Sequence, residues 1–189
     1  MSITLADMTK KTLALIEELN PNSAHLTDDD DIATKRNYVT NQVMYELARI
    51  KKIPKYIEMN VRMGDLITIN DIGDKCGYEV YQLGKVCGVE HISKASGTVL
   101  KILEDGIIEI ECFVYPERID DKTKDKGYEF ELSSDVLEIM PYGIAADLLK
   151  SDESAQYGRI YNDRYERMKQ ELDTRYQTTT IHVRGGIKI

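Results

Sequence analysis

The spacing of apolar residues changes period twice along this chain, and that double switch rules out any purely helical or purely β architecture. Leu5, Met8, Thr12, Leu15, Ile16 and Leu19 recur at three- and four-residue intervals, as do Ile32, Val39, Val43, Leu47 and Ile50, which is the signature of two amphipathic helices. From Tyr56 the interval falls to two: Ile57, Met59 and Val61, then Tyr78 and Val80, and on through Ile108, Ile110, Cys112 and Val114. Past Leu132 the helical spacing returns with Val136, Leu137, Met140, Ile144 and Leu148, and again with Tyr157, Tyr161, Tyr165, Met168 and Leu172. The expected fold class is α+β, a helical bundle of two N-terminal and two C-terminal helices with an antiparallel β domain inserted between them. The boundaries that follow are 1–54 and 133–174 for the bundle, 55–132 for the β domain and 175–189 for an extended C-terminal arm.

Punctuation residues sharpen this division. Asn20 and Pro21 end the first helix, and Pro54 bars continuation of the second. Asp28, Asp29, Asp30 and Asp31 have the hard-cation chemistry of a metal site, but the sharp-turn glycine and closing glutamate of a calcium loop are missing. Capping and the helix macrodipole account for them as a helix start. Tyr128, Phe130 and Leu132 alternate with Glu129 and Glu131 and are expected to close the sheet as its last strand. Ser133 or Ser134 is placed to cap the third helix, with Asp135 and Glu138 in its first turn. Pro141 is expected to kink it, or to split it into Ser134–Met140 and Pro141–Lys150. On the last helix Arg159, Asp163, Arg167 and Glu171 alternate in charge at four-residue spacing, opposite the tyrosine stripe.

Within the β region, Gly64-Asp65, Gly73-Asp74, Gly84 and Gly88 separate short strands. The sharpest local expectation is a hairpin in TVLKILEDGIIEIECFVYP. Asp105-Gly106 would form a type I′ turn and place Val99, Leu103, Ile108, Ile110, Cys112 and Val114 on one face. Asp120 to Gly127 reads as a solvated charged loop.

Composition limits the chemistry. The chain has 189 residues, 42% hydrophobic and 31% charged, with a formal net charge of −8, which argues against binding nucleic acid by phosphate neutralisation. Cys76, Cys87 and Cys112 have no metal-ligand or disulfide-framework spacing and read as small apolar fillers. No apolar run is long enough to span a membrane and no signal peptide is recognisable, so the expectation is a protein made in a reducing cytoplasm, away from membranes. His25, His91 and His182 are scattered, and the phosphate-loop, dinucleotide, serine-hydrolase and zincin motifs are missing. Glu109 with Glu111, and Glu129 with Glu131, fall on the solvent side of alternating strands. Tyr157, Tyr161 and Tyr165 fit helix packing better than a base-stacking platform. The expectation is no catalytic residue, no metal and no cofactor, and hence a structural role.

The end of the chain, RYQTTTIHVRGGIKI, carries Arg175, Arg184 and Lys188 and no acid after Asp173, so it is basic where the rest is acidic. A frayed terminus is one reading. The other is an arm that adds a strand to a partner, in which Tyr176, Ile181, Val183, Arg184, Ile187, Lys188 and Ile189 are the candidate docking residues.

The order of a helix pair, a β region ending in VYPERI and the segment FELSSDVLEIMPYGIAADLLKSDESAQYGRIYNDRYERMKQEL resembles the head-to-tail adaptor (connector, neck) proteins of tailed bacteriophages and prophages. The likeness rests on a helix with the alanine-rich centre Gly143-Ile144-Ala145-Ala146, a following helix with spaced tyrosines, and an acidic-start second helix with Asn37 and Asn41 on one face. The resemblance implies a virion protein of the neck. It would assemble as a homo-oligomeric ring, usually twelvefold, beneath the portal protein and above the stopper or tail-completion protein, with its C-terminal arm on the portal. A net negative ring suits a channel through which DNA passes without adhering. Two alternatives stand beside it: a tail-completion or stopper protein of the same assembly, and a small cytoplasmic ligand-binding module with its pocket in the β insertion.

Overall fold

Nine residues of strict alternation, Ile53 to Val61, form the first strand because their inward members, Ile57 and Val61, are buried while Tyr56, Glu58 and Asn60 stay in solvent. In this computed structural model, which describes residues 3–19, 30–120, 127–150 and 155–176, the chain is mixed α+β. Its described residues form five helices, α1 (Leu5–Leu19), α2 (Asp30–Ile50), α3 (Ile69–Cys76), α4 (Ser134–Leu148) and α5 (Ala155–Tyr176). The strands are β1 (Ile53–Val61), β2 (Leu66–Thr68), β3 (Val80–Cys87), β4 (His91–Lys94), β5 (Val99–Ile102) and β6 (Gly106–Val114). They make two three-stranded antiparallel sheets, ordered β1-β6-β3 and β2-β5-β4.

Three local expectations are corrected. The hairpin across Asp105-Gly106 is absent, because β5 and β6 lie in different sheets. β6 pairs along its whole length with β1, from Ile53 opposite Val114 to Val61 opposite Gly106, whereas the four residues of β5 offer far less ladder. The chain turns a corner instead, held where Leu103 N–H donates to Glu90 O at 2.9 Å and Met63 N–H to the Asp105 carboxylate at 2.6 Å. On β5 the inward residues are Leu100 and Ile102, not Val99 and Leu103.

The second correction concerns Gly73-Asp74, expected as a break between short strands but lying inside α3, Ile69 to Cys76. The Thr68 hydroxyl accepts the Asp71 N–H at 3.2 Å while the Asp71 carboxylate accepts the Thr68 N–H at 2.8 Å, a reciprocal capping box. Gly77 ends the helix in the left-handed region at φ 75°.

The third is Tyr128 to Leu132, which pairs with the start of the chain and not with either sheet. Leu5 N–H donates to Tyr128 O at 2.9 Å and Phe130 N–H to Ile3 O at 3.2 Å, around a Thr4–Glu129 bridge. The alternation is real, but the inward Tyr128 and Phe130 enter the helical core.

α4 is buried on almost every side, from Val136 to Ala146, because α1, α2 and α5 all pack against it. Close approach depends on two glycines. A Cβ at Gly143 would stand 2.8 Å from the Tyr165 ring, and one at Gly158 2.9 Å from Leu149 O. Pro141 lies inside one continuous helix rather than dividing it. Packing from three neighbours outweighs its missing hydrogen bond and ring clash, of order 3 kcal/mol. Ser133 occupies the N-cap position without a side-chain cap bond, and the first-turn Asp135 is held by Lys51 Nζ at 2.6 Å.

Buried residues form separate clusters. One joins Met8, Val39, Val43, Met44, Leu47, Ile139, Met140, Ile144, Tyr165 and Leu172, and another joins Ile57, Ile67, Ile72, Leu100, Ile102, Ile108, Ile110 and Val114. The stripe expected on α5 is present, with Tyr161, Tyr165 and Leu172 buried and Tyr157 and Met168 half-buried.

Candidate functional site

Of the candidate docking residues, Tyr176 is the last residue of α5, so that helix runs two residues past the boundary drawn at 174. Ile181, Val183, Arg184, Ile187, Lys188 and Ile189 lie outside the described residues. What the described chain offers is a cleft of about 670 Å³ where α2 meets the β region, lined by Gln42, Tyr45, Glu46, Arg49, Glu79, Tyr115, Asp147 and Lys150. Sequence periodicity did not single out these residues, since the cleft draws together positions more than 100 apart. The signal available was a surplus of tyrosine without tryptophan, 12 against 0.

The floor of this cleft is aromatic. Tyr115, just past β6, stacks on Tyr45 of α2 with centroids 4.6 Å apart and planes at 22°, and meets Tyr81 of β3 at 4.6 Å and 34°. Arg49 covers the same ring at 5.4 Å and its Nε–H donates to the Tyr115 hydroxyl at 2.5 Å. Tyr81 O–H donates to Ala48 O at 2.9 Å. Burial pushes the Tyr81 phenol up to about 12, and burial followed by the nearby Glu79 raises that of Tyr45.

Glu46 forms the other wall. Its carboxylate accepts from the Tyr165 hydroxyl at 2.8 Å and from Lys169 Nζ at 2.6 Å, while Lys169 also reaches Glu166 at 2.5 Å. Burial, then the hydrogen bond to Glu46, holds Tyr165 protonated far above the ordinary phenol range. Desolvation of Lys169 works against its charge, and its bonds to Glu166 and Glu46 overcome that, leaving its pKa raised. Each of these groups is engaged with another, which makes the cleft a joint between α2, α5 and the β region. Among the described residues its polar lining is tyrosine, carboxylate, amide, arginine and lysine, which offers stacking and hydrogen bonding.

A second groove, about 440 Å³, runs between α3 and β3 along Ile69, Asn70, Gly73, Asp74, Gly77, Tyr78, Glu79 and Val80. Tyr78 O–H donates to Glu131 at 2.9 Å and Lys55 Nζ stands 4.2 Å over its ring, so Glu131 is an anchor as well as a surface carboxylate. Glu109 is exposed as expected, whereas Glu111 is half-buried and accepts from Tyr56 O–H at 3.0 Å and Lys85 N–H at 3.1 Å.

His91 is half-buried with Nδ1 2.9 Å from Val89 O, and His25 and His182 lie outside the described residues. Cys112 is buried, and burial foremost, then the neighbouring Cys76, pushes its thiol up to about 11. Among the described residues no group of three His, Cys, Asp or Glu stands close enough to hold a metal ion. Asp30 and Asp31 open α2, and Asp28 and Asp29 lie outside the described residues. Among the described residues no helix is long and apolar enough to cross a membrane. Compared with known proteins, the chain matches no family model and no curated protein sequence.

Proposed function

We propose that this chain is a structural neck protein of a tailed phage or prophage: a head-to-tail adaptor that forms a ring under the portal and lets DNA through. Its four long helices act as one bundle split by the inserted β unit, and the basic end of the chain is the arm that grips the portal. The observation that carries the reading is the shared helical core, where Met8, Val43, Met44 and Leu47 from the first two long helices meet Ile139, Met140, Ile144 and Tyr165 from the last two. That core supports reading the helix, β and helix order of the sequence as a helical scaffold with an inserted β module, the arm following the last helix. The balance of charge adds to it: removing Arg175, Arg184 and Lys188 of the arm from the total of −8 leaves −11 on the rest, which suits a wall that DNA must slide past.

The test is affinity capture with the purified full chain against the portal protein and the tail proteins of the same genome. Recovery of portal supports the adaptor. Recovery of tail components alone overturns it in favour of a tail-completion or stopper protein.

The groove between α3 and β3 favours one reading of another class, a small-ligand module using the β insertion. A thermal-shift screen of metabolites decides it, because a ligand present at 100 times its Kd stabilises by about 2.7 kcal/mol.

A further inference from the structure

Two exposed faces of this chain are matched to each other in charge and in order. On the outer side of the β1-β6-β3 sheet, Tyr56 pairs with Glu111, Glu58 with Glu109 and Asn60 with Ile107. Tyr56 is 66% exposed and Ile107 53%, so the carboxylates are flanked by bare apolar surface. Glu58 and Glu109 stand directly opposite across the ladder, where like charges destabilise. Glu111 is held flat over Gly84, whose hypothetical Cβ would be 2.5 Å from its Oε2. Lys85 is exposed at the margin, and Lys52 is drawn to the Phe113 ring at 4.6 Å.

The outer face of α5 carries the complement. Ile160 is 57% exposed, and Arg159, Arg164 and Arg167 surround it with Asp163 as the acid among them. On this helix Lys169 pairs with Glu166, away from the arginines of the outer face. None of Arg159, Asp163, Arg164 and Arg167, nor Glu58 or Glu109, makes an ion pair within 4.0 Å among the described residues. Arg164 leans over the Tyr142 ring at 4.4 Å, which fixes its direction without neutralising it.

We propose that the β1-β6-β3 face of one copy docks on the outer face of α5 of a second copy, with Glu58, Glu109 and Glu111 meeting Arg159, Arg164 and Arg167. Along β6 the order is apolar, acid, acid: Ile107, Glu109, Glu111. Along α5 it is apolar, base, base: Ile160, Arg164, Arg167. Four strand residues span about 14 Å and seven helical residues about 10.5 Å, a mismatch the long arginine side chains absorb. The contact uses different surfaces on the two copies, so it propagates head to tail, and such contacts close into rings when the rotation allows. The inference deepens the adaptor reading and rests on it for ring closure, whereas the contact itself rests on the two faces.

Sedimentation velocity on the full chain tests it, with two surface variants that leave the buried clusters untouched: Glu58→Arg with Glu109→Arg, and Arg164→Glu with Arg167→Glu. Wild-type protein self-associates at low ionic strength, and the association fades towards 1 M salt, where screening acts within about 3 Å. Each variant alone weakens association at least tenfold, with its melting curve confirming that it is folded. Mixing the two in equal amounts restores association, because each reversed face now meets a reversed partner. Failure of the wild type to associate at any salt, association of either variant at wild-type strength, or failure of the mixture would each overturn the proposal. A chain that captures portal yet fails here refutes this contact and leaves the adaptor standing.

Discussion

Asn41 fixes the path by which the chain returns from the β region to the helices. Buried at 8% exposure, its side-chain amide donates to Ile119 O and its carbonyl accepts Ile119 N–H, both at 2.9 Å. Tyr128 O–H clamps the same segment by donating to Glu117 O at 2.6 Å. Asn41→Ala leaves a buried donor and a buried acceptor unmet, each costing about 1–3 kcal/mol. A fall in Tm of several degrees by circular dichroism is expected, and an unchanged Tm would show that the strap is not needed. The sequence could place Asn41 on a helix face, but its partner lies 78 positions away and periodicity carries no information at that range.

At the same scale, Tyr81 makes stability depend on alkali. Its folded pKa, about 12, is above its ordinary value of 10.0, so the fold favours the protonated phenol. Its contribution is intact below pH 10 and is lost as pH rises through about 12. Urea unfolding at pH 9 and pH 11.5 should show wild type losing more stability across that interval than Tyr81→Phe. Equal losses would contradict the assignment.

At the scale of elements, helices with long stripes were legible and short elements were not. The α5 stripe works because three-to-four spacing persists over 22 residues, long enough to outvote chance. α3 spans eight residues, and its apolar positions fit either period. Its real signal was Thr68 followed three residues later by Asp71, a cap pattern that outranks periodicity when an element is this short. Thr68→Ala should therefore cost about 1 kcal/mol in chemical denaturation, and a neutral effect would mean that tertiary contacts alone hold α3. The hairpin expected at Asp105-Gly106 failed for a related reason. Turn chemistry reports a reversal of direction, while partner choice is decided by the longer ladder, here nine residues of β1 on β6.

At the scale of the molecule, the α+β class was legible because the period of the apolar residues switches where the structure switches. That the last helix pair packs on the first was expected from stripes that neither pair can bury alone, but which faces meet was not, because a stripe shows that a partner is needed without saying which residues it meets. α4 settles that locally by packing on α1, α2 and α5 together. The aromatic joint of Tyr45, Tyr81 and Tyr115 ties the β region to α2, so a force on one is felt by the other. In the proposed adaptor such a tie would help the two parts act together, and the proposal further requires a grip on the portal.

The central claim is tested most directly by measuring the affinity of the portal ring for two chains side by side, the full protein and residues 1–176. The account predicts that both melt at the same temperature and that loss of Gln177 to Ile189 abolishes portal binding. A truncated chain that binds portal with undiminished affinity would contradict it.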